Sequence, residues 1–591
     1  MSYPRPQFRR QQWRSLDGPW SFSFSPARFA GEVEWTHEIT VPYPPESKLS
    51  GVHDEDFHPV VWYRRTFQVP AEWAGQRVRL HFGAVDYRAQ VWVNGHLVAT
   101  HEGGHTPFWA DVTHALTGGD EEIVVRAEDD PADLAKPRGK QDWLREPHII
   151  WYPRTTGIWQ PVWLEPVAET CIESLRLTPD VASFSIGVEV EVSGTKTGQA
   201  AGARLEVTLT HAGETLVHDL ITLTGPRVAR TLQLPDPGID AARVAFVWFP
   251  EQPTLLELKF RLLRGDEAVD EVESYTALRS VEARGRTFYL NTRPYFLRLA
   301  LDQGYWDDSL LAAPSDDALR RDVELAKAMG FNGVRKHQKL EDPRYLYWAD
   351  RLGLLVWSEL PSAYAFTSRT PERLAREWLE AVRRDYNSPC VVAWVAFNES
   401  WGVPDLPLSA PQRALVAALY HLAKSLDQTR PVVGNDGWEH VVSDLLTIHD
   451  YSHDPAVLLE RYGTAAASES SSLTVRPAGR DIVLPDALNG ASPNEVLLGD
   501  APVVLSEFGG VRFAGKNAGS GWGYQQVESE AALLKLYRDL VAAASAPGLA
   551  GFCYTQFADT FQEQNGLLYG DRTPKVALEE LFEATAQRKG G

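Results

Sequence analysis

Through roughly the first 280 residues, apolar positions alternate with polar ones. Beyond that they gather into short unbroken runs separated by segments of helical period. Trp20, Phe22 and Phe24 alternate with Ser21 and Ser23. The same period of two places Val61, Tyr63 and Phe67, and then Val78, Leu80 and Phe82, on one face. This is the pattern of strands with one face buried. Val91–Trp92–Val93 runs into Asn94–Gly95 and then His96–Leu97–Val98–Ala99. Asn-Gly between two strand-like runs predicts a tight hairpin, because both central residues of such a turn take positive φ. Pro42, Pro44, Pro45 and Gly103–Gly104 punctuate the loops. Residues 1–167 therefore read as a jelly-roll-like β-sandwich.

Residues 168–280 continue in the same style, with clean alternation over Ser185–Val192 and Arg204–Thr210. A stretch of this length with about seven strands fits an immunoglobulin-like sandwich. No chemical cluster stands out in it, and a bracing role is expected.

From residue 281 the period changes. Predicted strands at Tyr295–Leu301, Gly333–Lys336, Leu354–Ser358, Val391–Phe397, Pro431–Gly434, Leu446–His449, Val503–Ser506 and Gly551–Gln556 alternate with helices, including Asp316–Met329, Pro343–Leu352, Pro371–Tyr386 and Pro411–Leu426. Ser315 is a candidate N-cap and Gly330 a C-terminal glycine. Strict β/α alternation predicts a (β/α)8 TIM barrel over 281–591. The competing open, doubly wound sheet lacks a Gly-rich phosphate loop to support it. Residues 463–500, with Ser468–Ser472 reading S-E-S-S-S, interrupt the rhythm and are expected to form a lid or subsite loop on the catalytic face.

Two of the barrel strands end in glutamate. V-V-A-W-V-A-F-N-E-S-W (Val391–Trp401) turns polar at Asn398–Glu399, and P-V-V-L-S-E-F-G-G (Pro502–Gly510) carries Glu507 before two glycines. In a barrel the C-terminal strand ends form the mouth where substrates bind. Two carboxylates there suit glycosidic bond cleavage. One protonates the leaving oxygen and the other attacks the anomeric carbon or activates water. Burial is expected to raise the Glu399 pKa and suit it to proton donation.

Composition narrows the partners. The net charge of −21 argues against nucleic acid or an anionic membrane. No apolar run is long enough for a membrane span. The 20 Trp fit sugar-stacking surfaces as well as sandwich cores. Three cysteines, Cys171, Cys390 and Cys553, are too few for a disulfide framework. The polar, Arg-containing start has no signal-peptide character. A cytoplasmic protein acting on carbohydrate is expected, and an exposed sandwich edge leaves room for a homo-oligomer.

The chain resembles glycoside hydrolase family 2, which includes β-galactosidases, β-glucuronidases and β-mannosidases. The resemblance rests on L-D-G-P-W-S-F (Leu16–Phe22), V-W-Y-R-R-T-F (Val61–Phe67), V-W-V-N-G (Val91–Gly95) and T-G-I-W-Q-P-V-W-L-E (Thr156–Glu165) in the first sandwich. In the barrel it rests on R-P-Y-F-L-R (Arg293–Arg298), F-N-E-S (Phe397–Ser400), S-E-F-G-G (Ser506–Gly510) and Q-E-Q-N-G-L-L-Y-G-D-R-T-P-K (Gln562–Lys575). It implies Glu399 as acid/base and Glu507 as nucleophile of a retaining, exo-acting β-glycosidase. It also implies Asn398 on the sugar 2-hydroxyl, Tyr451 supporting the nucleophile, and Arg335 holding it ionised. Where the family's galactosidases carry Asn-His-Glu-Asp, this chain has L-D-Q-G-Y-W (Leu301–Trp306), which makes Asp302 and Trp306 the candidate specificity residues. The Asn-x-Lys element of the family's glucuronidases is not visible after the eighth strand, leaving Lys336, Lys339 or Arg512 for a uronate. A β-galactosidase-like activity is expected. A pentosidase or furanosidase and a β-glucuronidase are alternatives on the same scaffold, and an inactive carbohydrate-binding protein is the alternative of another class.

His337, Glu359, His449 and His453 near strand ends, with Gln556 and Asp559 after the eighth strand, are further candidates for sugar hydroxyls or for satisfying the barrel mouth. The loop Lys136–Trp143 is a candidate subsite wall. The His53–His58 run (H-D-E-D-F-H) matches no standard metal spacing. No metal site and no required cofactor are expected, although some family members hold Mg²⁺ or Na⁺ beside the acid/base.

Overall fold

The computed structural model describes residues 3–193, 202–464, 477, 479–484, 500–516 and 521–587. Most of the predicted lid over 463–500 therefore lies outside the described residues.

The first sandwich packs a six-stranded antiparallel sheet against a four-stranded one. The six strands run, in spatial order, His37–Val41, Gly18–Phe24, Val60–Phe67, Glu121–Glu128, Arg88–Val93 and His96–Glu102. The smaller sheet contains Val162–Val167, Arg77–Phe82 and Phe108–Asp111, with Arg14–Ser15 at its edge. Trp20, Phe22, Tyr63, Leu80 and Phe82 meet in the core between them. The predicted hairpin forms, with φ of 48° at Asn94 and 79° at Gly95.

The second sandwich has three strands facing four. Its core is built from the inward positions of the predicted alternation, Val188 and Val190 against Leu205, Val207 and Leu209.

The barrel strands, numbered β1–β8, are Leu297–Asp302, Gly333–Lys336, Leu355–Glu359, Val391–Val395, Val432–Val433, Leu446–His449, Val503–Gly509 and Gly551–Thr555. All the pairings among them are parallel, in the order β5-β4-β3-β2-β1-β8-β7-β6. Between β5 and β6 the loop after β5 closes the gap: Gly437 N donates to Thr447 Oγ1, and His440 Nε2 lies 2.9 Å from the Thr447 carbonyl.

β4 shows why this reading was accessible. Val391–Val395 is fully buried, facing the barrel interior on one side and the helix layer on the other. Each such side chain contributes about 1.5–3 kcal/mol of burial. The helices α1 (Asp316–Ala328) and α2 (Pro343–Leu352) begin at side-chain caps, Ser315 accepting from Ala318 N and Asp342 from Arg344 N. Capping satisfies amides that the first turn leaves without a partner.

β7 runs further than expected, to Gly509, so Glu507 sits within the strand rather than after it. The pairing with β8 shifts register between Leu505 and Phe508, and the β6–β7 pairing shifts at His449, which faces Glu507. A bulge of this kind re-aims side chains at a barrel rim.

Candidate active site

At the end of β4 the backbone leaves the strand abruptly. Glu399 and Ser400 have φ of 49° and 56°, a left-handed conformation that non-glycine residues adopt only when neighbours hold them. Those neighbours come from the loop after β5. Glu399 N donates to the Asp436 carbonyl at 3.0 Å, Ser400 N to Asn435 Oδ1 at 3.0 Å, and Ser400 Oγ to Glu439 Oε2 at 2.6 Å.

His449, at the end of β6, stands between the two glutamates. Nδ1 lies 2.8 Å from Glu399 Oε1, Nε2 lies 2.7 Å from Asp436 Oδ1, and Nε2 is 3.4 Å from Glu507 Oε1. Burial by itself would depress this imidazolium, but Glu507, Asp436 and Glu399 override it and push the pKa up to about 10. His449 therefore carries a proton on each nitrogen. The positive ring reverses the expectation for Glu399. Burial alone raises that carboxyl, yet the hydrogen bond and charge of His449 outweigh it and hold the pKa below its ordinary value.

Glu507 receives Tyr451 OH at 2.5 Å on Oε2 and Arg335 Nη1 at 3.1 Å on Oε1. The Arg335 fork also donates to Glu359 Oε2 at 2.6 Å and to Asn398 Oδ1 at 2.6 Å, and its Nη1 lies 3.2 Å from Asp436. Both Arg335 and Glu359 are completely buried. Glu359 is spent on Arg335 and on Gln338 N at 2.9 Å, with the His337 ring beside it. It holds the barrel mouth together and has no exposed surface to offer sugar hydroxyls. By contrast Glu399 keeps 13% of its side chain exposed and Glu507 6%, so these two carboxylates face the opening.

Asp302 and Trp306 lie elsewhere. Asp302 accepts from Lys336 Nζ at 2.7 Å, inside a buried ion cluster where Glu341 also binds Lys336 and Lys339. The Lys339 ammonium and the Arg572 guanidinium both lie against the Trp306 ring, 5.0 and 5.1 Å from its centroid. Both side chains are thus taken up by buried charged partners. Lys336 and Lys339 are committed to the same cluster, and Arg512 bonds Gln526 and Gln564. Gln556 is buried between Gln303 and Asn565, and Asp559 pairs with Lys575.

The mouth also contains groups that sequence reasoning missed. Asp436 follows β5 in N-D-G-W, a strand-end position that signalled it. Glu563, in Q-E-Q-N, accepts from Tyr152 of the first sandwich and from Asn565, and burial raises its pKa. Tyr524 stacks on Tyr451 at 3.5 Å. Trp401 Nε1 donates to Glu399 Oε2 at 3.3 Å and belongs to an aromatic wall with Trp151 and Tyr364. The loop 136–143 does reach the barrel: Arg138 N and Gly139 N both donate to the Ser362 carbonyl.

Among the described residues, one group of His, Asp, Glu and Cys side chains converges closely enough for a cation: Glu399, His449 and Glu507, with their donor atoms all within 4.8 Å of one another. Both ring nitrogens of His449 are already given to carboxylates, which fits a bridging imidazolium rather than a metal ligand.

The family model described as the sugar binding domain of glycosyl hydrolases family 2 matches residues 13–129, and that described as the family's TIM barrel domain matches 281–588. The chain belongs to glycosyl hydrolase family 2. A β-galactosidase of Thermoanaerobacter pseudethanolicus is 28% identical over 390 residues, covering 64% of this chain and 49% of that protein. A β-glucuronidase of Paenibacillus borealis is 27% identical, covering 73% and 74%. The chain spans about half the length of the Thermoanaerobacter relative and, at 44%, less than half of a putative β-glucuronidase of Formosa agariphila. Among solved structures, a β-glucuronidase of Faecalibacterium prausnitzii superposes with a TM-score of 0.77 at 23% identity over 99% of both chains. A β-galacturonidase of Eisenbergiella tayi bound to galacturonate superposes at 0.75 and 19%, also over 99% of both. These superpositions show a shared fold over nearly the whole chain.

Proposed function

We propose that this family 2 protein is an exo-acting, retaining β-glycosidase that removes a terminal β-linked hexose or hexuronic acid, the two sugar classes in its relatives' names. The observation carrying the reading is the approach of Glu399 and Glu507, whose facing oxygens lie within 4.8 Å across His449. A gap of about 5–5.5 Å between carboxyl groups suits double displacement, whereas inverting enzymes separate them by about 6.5–9.5 Å to admit water.

Glu507 is the nucleophile in this scheme. It has Arg335 on one oxygen and Tyr451 on the other, which fixes the direction in which it points. Glu399 protonates the departing oxygen and then activates the water that releases the sugar from Glu507. Asn398, whose Oδ1 accepts from Arg335, bonds the sugar 2-hydroxyl in this scheme. The side chains needed for this chemistry are all present in the chain, and no cofactor is required. Loop 136–143 crowding the barrel at Ser362 supports exo action. Three buried, unpaired cysteines support a cytoplasmic location, and among the described residues no helix is long and apolar enough to cross a membrane.

The test is the first-formed anomer of an aryl β-glycoside reaction followed by NMR. Retention is expected, and an α-anomer product would overturn the mechanism. Glu507→Ala should lower kcat by at least about a thousandfold. Turnover close to wild type in that variant would remove Glu507 from the mechanism.

A further inference from the structure

The cations expected to read a carboxylate are committed elsewhere, but one lysine is not. Lys140 sits on the sandwich loop 136–143, and its residue is only 5% exposed. Among the described residues its ammonium has no hydrogen bond and no ion pair. It lies over the Tyr152 ring, 5.6 Å from Nζ to the centroid. Its charge acts on Glu399 after His449 and ahead of Arg335. It is the first opposing charge on Glu563, and it acts on His337 as well. These three residues follow β4, β8 and β2, and the Tyr152 beside Lys140 donates its hydroxyl to Glu563, which sets the ammonium at the sandwich side of the barrel mouth.

The loop is built to hold it there. Gly139 has φ of 62°, and a Cβ at that position would lie 2.3 Å from the Gln338 carbonyl oxygen. Only glycine lets the loop press this closely on the barrel. Arg138 N and Gly139 N bond the Ser362 carbonyl, and Tyr364 OH donates to the Gly139 carbonyl at 2.7 Å. On the far side the Lys140 carbonyl accepts from Tyr152 N at 2.8 Å. A mostly buried lysine in a fixed loop, with nearby carboxylates outside ion-pair contact, has a place for an anionic partner that the protein does not fill.

We propose that Lys140 is the specificity-determining cation of this site, pairing with the carboxylate of a bound hexuronic acid, so that the sandwich completes the sugar subsite of the barrel. The assignment rests on the glycosidase reading and selects the hexuronide within it. Arg335, Lys336 and Lys339 do not compete for the role, because each is held by buried carboxylates.

Two measurements decide it. The first compares kcat/KM for 4-nitrophenyl β-D-glucuronide and β-D-galacturonide with their neutral counterparts, the β-D-glucoside and β-D-galactoside, in wild type and in Lys140→Met. The ratio of uronide to neutral sugar should favour a uronide in the wild type and fall about 10- to 100-fold in the variant, the range expected for one charge-assisted contact. An equal fall for both substrate classes, or an unchanged ratio, overturns the proposal. The second is calorimetric titration of the wild-type protein with free glucuronate and galacturonate against glucose and galactose. One of the uronates should bind at least about tenfold more tightly than its neutral partner, and equal or reversed affinities overturn the proposal without reliance on any variant. Absence of turnover on every aryl glycoside would instead reject the glycosidase reading, with the titration still deciding for or against Lys140.

Discussion

His449 Nδ1 lies 2.8 Å from Glu399 Oε1 while the other nitrogen of the same ring lies 3.4 Å from Glu507 Oε1. One imidazolium thus spans the two carboxylates that face the mouth. It lowers the Glu399 pKa, whose protonated form is the one that donates a proton. Removing the charge should release Glu399 upward. The alkaline limb of the kcat/KM profile of His449→Asn is expected to move to higher pH than in wild type, with a lower maximum. A limb that stays in place or moves to lower pH would show that His449 does not control this proton.

Arg335 is fully buried and touches Glu359, Asp436, Glu507 and Asn398 at once. Burial opposes its charge, but those carboxylates hold its pKa well above the ordinary value. Replacing it with Met leaves the buried acids uncompensated. Loss of a partner from a buried pair is worth about 3–5 kcal/mol, so Arg335→Met should unfold at markedly lower denaturant concentration. Adding Glu359→Gln removes one orphaned charge and should recover part of that loss. Strict additivity of the two substitutions in chemical denaturation would contradict this coupling.

Gly510 has φ of 63°, and a Cβ there would meet Tyr524 Cδ2 at 2.4 Å and Tyr451 Cε1 at 3.3 Å. The two rings are stacked, and Tyr451 holds Glu507. Gly510→Ala should therefore lower kcat by about tenfold or more through displacement of the Tyr451 hydroxyl, in addition to about 1–3 kcal/mol of backbone strain. Full activity in a variant with wild-type thermal stability would argue that the rings do not position the nucleophile.

The barrel was legible because its strands are buried on both faces. Val391–Val395 reads as an unbroken apolar run, and such strand ends point to the mouth whatever the details of closure. Glu399 and Glu507 followed from that geometry alone. The charge state of Glu399 did not. It depends on His449 and Asp436, brought in from β6 and the loop after β5, and a sequence gives no distance between a ring nitrogen and a carboxylate. The partners of Asp302 and Trp306 were hidden for a related reason. Asp302, the last residue of β1, is taken up by Lys336, and Trp306 in the following loop by Lys339 and Arg572, charged partners remote in the chain. Lys140 was hidden in a polar loop of another sandwich, where lysine is ordinarily a solvated residue. Its loop was recognisable as a candidate wall, but the isolation of its ammonium emerges only from the packing of Gly139 against Gln338.

His449 also sets an alkaline limit on stability. Its pKa is about 10 in the folded protein and near 6.5 in an unfolded chain, so between those values the folded state binds more protons. Stability must then fall as pH rises through this window. The contribution is complete below about pH 6.5 and gone above about pH 10. Thermal unfolding from pH 7 to 10 should show a steeper decline in midpoint for wild type than for His449→Asn, whose uncharged amide has no proton to lose. Parallel curves for the two proteins would mean that the ring is already neutral at pH 7, and the bridging of Glu399 and Glu507 by a protonated imidazole would have to be abandoned.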